Sequence, residues 1–103
     1  MVLTWNDNVK HDLQAYILHS RRNSKEKIYV YVNSLVDYVE NLIQFPTLGK
    51  KLFIIKDLEI RQLIYKKHKI IYYQKFNKIC ILSVIYASKD FNSIFKEIKK
   101  VLK

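Results

Sequence analysis

The only proline and the only glycine of this chain, Pro46 and Gly49, lie close together, and the hydrophobic pattern differs on their two sides. Before Pro46, apolar side chains recur at the spacing of helices; after Gly49, they recur at the spacing of strands. Proline ends helices, and glycine permits tight turns. The segment 45–49 therefore predicts a boundary between a helical first half and a sheet-rich second half.

Two helices are predicted in the first half, after a short edge strand at 2–4. Asn6 or Asp7 can cap the first helix, which is expected to end near 21–23, and the second helix is expected to begin at Ser24 and to stop before Pro46. Such an antiparallel hairpin is expected to cover one face of a sheet. Its inner stripe comprises Val9, Leu13, Tyr16, Ile17, Ile28, Tyr31, Val32, Leu35, Val39, Leu42 and Ile43.

Four strands are predicted in the second half, at 52–55, 58–65, 69–76 and 79–86. The expected turns are Lys66-Lys67-His68 and Asn77-Lys78, and Asp90 is expected to cap a last helix. The order is β-α-α-β-β-β-β-α, an α+β fold in which the helical hairpin packs on a mostly antiparallel sheet with a C-terminal helix. The 103 residues are expected to form a single domain, 1–103.

The net charge of +10 arises entirely after Phe45, because acidic and basic residues balance before it. Between 46 and 89, only Asp57 and Glu59 oppose a long series of lysines and Arg61. This asymmetry indicates a polyanion or an acidic protein as partner. Scattered histidines and a single cysteine predict no metal site and no cofactor, and the absence of a leader or a long apolar block predicts a cytoplasmic protein without a membrane span.

Three segments resemble the RelE/ParE toxin superfamily of bacterial type II toxin-antitoxin modules. Residues 60–72, Ile-Arg-Gln-Leu-Ile-Tyr-Lys-Lys-His-Lys-Ile-Ile-Tyr, are similar to the family's Ile-Arg-x-Leu followed by a Tyr-Arg-Ile-x-Tyr strand. Phe-Pro-x-x-Gly at 45–49 is similar to its helix-ending segment, and Tyr-Ala-Ser-Lys-Asp at 86–90 to its His-x-Arg-Arg-Asp segment. The chain departs from this pattern at His68 (often Tyr), Lys69 (Arg), Tyr86 (often His) and Ser88 (often Arg).

The resemblance implies a site on one sheet face and at the start of the last helix. Metal-free cleavage of RNA needs cations at the phosphate and groups that move protons. Arg61, Lys69 and Lys89 could supply the charge, and Tyr86 or His68 the proton transfer. The predicted catalytic residues are therefore Arg61, Lys69, Tyr86 and Lys89. The predicted RNA-binding residues are Lys66, Lys67, His68 and Tyr73, of which the lysines attract phosphates and Tyr73 can stack on a base. Taken by itself, His68 in a turn is more simply explained as turn surface.

Strand register tests this site. A turn at Asn77-Lys78 would pair Phe76 with Ile79 and place Lys69 opposite Tyr86, on one face. A two-residue turn at Lys66-Lys67 would put Arg61 on the other face, whereas one extra residue would bring it to the same face. We predict the longer loop, which unites Arg61, Lys69 and Tyr86.

Three functions agree with the sequence. The first is a toxin that cuts ribosome-bound mRNA and is neutralised by a cognate acidic antitoxin. The second is a toxin of the ParE branch, which blocks DNA gyrase by binding without catalysis. The third is a non-toxic RNA-binding module. The dense positive sheet favours the first, and the absence of arginine at Ser88 favours the second; on balance we predict the first, metal-free cleavage of mRNA. The oligomeric state is open, with a homodimer among the alternatives.

Overall fold

A computed structural model describes residues 1–19 and 24–103 of the chain. The predicted α+β order is confirmed. The elements are β1 (Val2–Trp5), α1 (Asp7–His19), α2 (Lys25–Val39), a 3-10 turn (Glu40–Ile43), β2 (Lys50–Ile55), β3 (Leu58–Tyr65), β4 (His68–Lys75), β5 (Lys78–Tyr86) and α3 (Phe91–Val101). The predicted end of the first helix, near 21–23, lies outside the described residues.

The caps of the helices follow from the sequence. Ser24 accepts a hydrogen bond from the Lys27 amide at the start of α2, and Asp90 accepts one from the Ser93 amide at the start of α3. Both caps satisfy backbone donors that have no partner within the helix. The helical stretch after α2 ends at Ile43, before Pro46.

The five strands form one sheet in the order β1-β5-β4-β3-β2. β1 pairs with β5 in parallel, and the other pairs are antiparallel. Helices α1 and α2 pack on one face, called here the hairpin face, through a core that includes Val9, Leu35 and Ile70. Helix α3 packs on the other, called here the α3 face, where Ile94 and Ile98 contact Ile71. No helix in the described ranges has the length and apolar character that a membrane span requires.

Two predicted turns are wrong. The β4–β5 turn is Phe76-Asn77, one residue earlier than expected, because Lys75 pairs with Lys78 and Phe76 adopts the positive φ of 56° that Asn77 was expected to take. The longer loop predicted at Lys66-Lys67 is absent: Tyr65 pairs directly with His68, which is the first residue of β4 rather than part of a turn.

A bulge in β5 shifts the register back by one residue. Ile71 pairs with Ser83 but Tyr72 pairs with Ile81, so Leu82 is the extra residue. The Asn8 side-chain amide donates to the Leu82 carbonyl at 3.0 Å and thereby holds the bulge against α1. The earlier turn and the bulge together place Lys69 opposite Ile85, not opposite Tyr86 as predicted.

The loop between the helices and β2 is anchored to the central strand. The buried Tyr72 hydroxyl donates to the Pro46 carbonyl and accepts from the Gly49 amide, both at 2.8 Å. Only glycine fits at position 49, because neighbouring atoms leave no room for a side chain. A Cβ atom there would lie 2.6 Å from the Tyr72 hydroxyl and 2.7 Å from the Gln62 carbonyl oxygen. The expected helix-to-sheet boundary is thus a packed junction.

Replacing Gly49 with alanine should lower the free energy of unfolding by about 1 to 3 kcal/mol, because the added methyl group overpacks the junction. Urea unfolding of Gly49→Ala measures the loss. Thr47→Ala, at an exposed position of the same loop, is the matched control and should leave stability within about 0.5 kcal/mol. Equal stability of both variants would contradict this account of the junction.

Candidate functional site

The end of the sheet at the β3–β4 turn gathers most of the predicted site residues. Lys66 and Lys67 form this turn and are exposed. The Ala87 amide donates to the Lys67 carbonyl at 2.7 Å, which joins the turn to the segment between β5 and α3. We call this region the β3–β4 end. It brings the turn lysines, the last residue of β5 and the start of α3 into one region.

His68 and Tyr86 are paired across β4 and β5 on the hairpin face. Their rings stack with centroids 5.1 Å apart at 27°, and the Tyr16 ring meets His68 edge-on at 5.3 Å. His68 is 7% exposed, whereas Tyr86 is 54% exposed. Tyr86 therefore offers an aromatic surface to a ligand while it helps to bury the imidazole.

A hydroxyl from α2 holds the imidazole from the other side. The Tyr31 hydroxyl and His68 Nδ1 share a hydrogen bond of 2.7 Å. The same hydroxyl accepts from the Lys67 amide at 3.3 Å and lies 3.4 Å from the Tyr65 carbonyl oxygen. Burial, followed by the nearby charge of Lys67, lowers the pKa of His68. At neutral pH the imidazole is therefore uncharged, and it does not supply a cation for a phosphate.

Tyrosines complete this cluster. The Tyr31 ring lies near those of Tyr16 and Tyr65, at centroid distances of 6.2 and 5.7 Å, and Tyr38 extends the group at 5.2 Å from Tyr65. Burial raises the pKa values of Tyr16 and Tyr31, so both hydroxyls remain protonated at neutral pH. Sequence reasoning placed Tyr16 and Tyr31 on the helical stripe as core residues and missed their contact with His68. The available signal in the sequence was the hydroxyl group of each tyrosine, which usually has a hydrogen-bond partner when the ring is buried.

Lys69 and Lys89 meet at the start of α3. The Lys69 ammonium donates to the Lys89 carbonyl at 3.0 Å, and Lys69 belongs to the α3 face because Ile71, two residues on, packs against α3. Asp90 already occupies the N-terminus of α3, and the hydrogen bond from the Ser93 amide lowers the pKa of its carboxyl. The Lys69 ammonium therefore stabilises the segment before α3.

Arg61 and Tyr73 lie apart from the β3–β4 end. Arg61 pairs with Tyr72, which lies four residues along β4 from His68. Four residues of a strand span about 13 Å, so Arg61 lies at about this distance along the sheet from the β3–β4 end. Its guanidinium donates to the carbonyls of Gly49 at 2.6 Å and Thr47 at 3.4 Å. Tyr73 is partly buried on the α3 face, where burial raises its pKa. The predicted shared face for Arg61, Lys69 and Tyr86 is therefore wrong.

The predicted residues thus fall into separate groups. Tyr86 and His68 share the hairpin face beside the turn lysines, whereas Lys69 and Lys89 meet on the α3 face. Arg61 is bonded to the 46–49 loop. The β3–β4 end can attract a polyanion and present one aromatic ring, but Lys69 and Arg61, the cations predicted to act with Tyr86, lie on the α3 face and at the 46–49 loop. Residues 1–19 and 24–103 contain no histidine, cysteine and carboxylate cluster that could hold a metal.

A chain of similar fold occurs in a solved structure described as the chromosomal ParDE TA system from P. aeruginosa. The TM-score is 0.64 at 21% sequence identity, and the match covers 84% of this chain and 95% of that chain. No protein-family model matches the sequence, and no curated protein matches it. The fold that the RelE/ParE resemblance implied is therefore confirmed at the level of architecture.

The protonation of His68 predicts a pH-dependent stability. Its pKa is lowered in the folded state, so the unfolded state binds more protons once the pH falls below about 6.5. Stability should be full above about pH 6.5 and should fall as the pH drops toward the lowered pKa. Urea unfolding between about pH 7.5 and about pH 5.5 measures this. His68→Gln should flatten the dependence, and substitution of the exposed His11 by Gln should not. An unchanged slope in His68→Gln would refute the assignment.

Proposed function

We propose that this chain is the toxin component of a type II toxin-antitoxin module, neutralised by a cognate acidic antitoxin. Two observations support the proposal. The fold matches that of a chain in a ParDE toxin-antitoxin structure. The positive charge of the sheet-bearing half is suited to an acidic protein that covers it, because complementary charge steers association and selects the partner.

We further propose that the toxin acts by binding its target, as the ParE branch does with DNA gyrase, rather than by cutting RNA. The separation of the predicted catalytic residues carries this: Lys69 and Tyr86 lie on opposite faces of the sheet, and the Arg61 guanidinium is bonded to the Gly49 carbonyl. Metal-free cleavage requires cations and proton-transferring groups within hydrogen-bonding reach of one phosphate. A binding inhibitor has no such requirement.

The exposed ring of Tyr86 beside Lys66 and Lys67 favours a second candidate, cleavage of ribosome-bound mRNA. An exposed aromatic ring next to lysines is suited to stack on an RNA base while the ammonium groups attract phosphates. In this alternative Tyr86 and Lys69 are the residues whose loss should remove cleavage. The same surface would serve the third alternative, a non-toxic RNA-binding module.

Inducible expression in bacteria should arrest growth, and co-expression of an acidic protein encoded beside the gene should restore it. Purified chain should inhibit supercoiling by DNA gyrase and leave mRNA intact in a translating extract. The combined Lys66→Gln, Lys67→Gln and Tyr86→Ala variant should weaken this inhibition about tenfold, corresponding to about 1.4 kcal/mol of binding free energy.

A matched control removes the same charge from the helical hairpin. Lys10→Gln combined with Lys27→Gln, both at exposed positions, should leave the inhibition unchanged. mRNA degradation that disappears in Lys69→Ala and in Tyr86→Phe would establish the nuclease instead. Absence of growth arrest together with RNA binding would establish the non-toxic module.

A further inference from the structure

A second concentration of lysines lies at the opposite end of the sheet from the β3–β4 end. Lys56 lies in the β2–β3 turn, Lys75 and Lys78 flank the β4–β5 turn, and Lys99 and Lys100 occupy the last turn of α3. We call this region the Phe76 end, after the residue at the apex of the β4–β5 turn. None of the predicted site residues belongs to it.

These cations form one surface. The two turns are two strand spacings apart, which is about 10 Å. The Lys56 ammonium donates to the Leu102 carbonyl at 2.8 Å and thereby ties the end of α3 to the β2–β3 turn. The outer side of α3 contributes an open groove of about 340 Å³, lined by Lys96, Lys99, Lys100 and Lys103. A polyanion that reaches this end meets lysines from both turns and from the helix.

Phe76 is an unusual residue for the apex of a hairpin. Its side chain is 90% exposed, and its backbone adopts φ 56°, where glycine or asparagine is favoured and a bulky residue is strained. The Lys75 ammonium lies 5.7 Å from the centre of its ring. The ring therefore adds little to the core of the fold, while its backbone conformation costs stability. Lys56, Asp57 and Lys66 in the other turns share the positive φ, so it is the large and almost fully exposed ring at this position that points to a role in binding.

We propose that the Phe76 end is a binding surface for single-stranded nucleic acid, with one base stacked on the Phe76 ring and phosphates held by the surrounding lysines. The chemistry is that of single-strand binding proteins, which combine aromatic rings with a basic groove. The strand beside the turn adds the partly exposed side chains of Met1 and Val2 to the apolar surface, and Val2 pairs with Lys78. Together with Phe76 they form a small apolar patch among lysines, which is suited to one stacked base rather than to the broad apolar contact of a protein-binding or membrane-binding site. The inference does not depend on the toxin assignment.

Fluorescence anisotropy with a labelled mixed-sequence oligonucleotide, as single strand and as duplex at one fixed salt concentration, tests the proposal. Phe76→Asn should weaken single-strand binding by about 5- to 100-fold, since stacking on the ring is lost, and should leave duplex binding unchanged, since paired bases cannot stack on it. Phe76→Leu should show the same loss, and Phe76→Tyr should retain the affinity. Thermal unfolding should show Phe76→Asn at least as stable as the parent, because asparagine adopts positive φ more readily.

Two control variants separate this end from the other. Tyr29→Ser removes a half-exposed aromatic ring from α2 and should have no effect on single-strand binding. Lys75→Gln with Lys78→Gln should lower the single-strand affinity more than Lys66→Gln with Lys67→Gln, although each pair removes the same charge.

Unchanged single-strand affinity in Phe76→Asn, or an equal loss with duplex, would overturn the proposal. Binding to phosphatidylglycerol vesicles that requires Phe76, without a change in single-strand affinity, would assign the surface to lipid instead.

Discussion

The hydroxyl group of Tyr72 connects the two halves of this molecule. Tyr72 lies in the central strand β4, within the core under the helical hairpin. Its hydroxyl donates a hydrogen bond to the Pro46 carbonyl and accepts one from the Gly49 amide. Arg61 from β3 adds a hydrogen bond to the Gly49 carbonyl. Because these bonds fix the chain where helix changes to sheet, they set where β2 begins and how the hairpin lies on the sheet. A buried hydroxyl without these partners would be costly, so the junction and the core depend on each other.

Much of the fold could be predicted because its signals are local. The β3 bounds, the Ser24 and Asp90 caps and the change of period at 45–49 all depend on neighbouring residues. The candidate site could not be assembled in the same way. Phe76 takes the strained turn position although Asn77 is the better turn former, and the bulge at Leu82 is held by Asn8 from the far end of the sequence. The burial of His68 likewise requires Tyr31, which no local pattern connects to it.

The excess positive charge occupies both ends of the sheet, whereas the sequence had indicated one basic half. At one end the lysines surround a histidine and tyrosine cluster whose pKa values favour neutral side chains. At the other end they surround a single exposed phenylalanine. The middle of the sheet is covered by helices on both faces. A molecule with this distribution can contact two anionic partners at once, or one long partner at two points.

The bulge at Leu82 also has an evolutionary consequence. Leu82 and Ser83 together oppose Ile71, so removal of Leu82 would leave a regular strand in which Ser83 still pairs with Ile71 and Tyr86 still pairs with His68. Side chains alternate between the faces of a strand, so removal of one residue beyond the bulge would instead shift Tyr86 by one position, opposite Lys69 and onto the α3 face. An in-frame codon deletion at Leu82 is therefore expected to keep the aromatic surface of the hairpin face, whereas a deletion between Ser83 and Tyr86 is expected to move it. Homologues that differ in length between Ser83 and Tyr86 are therefore expected to differ in the ligands that this end of the sheet recognises.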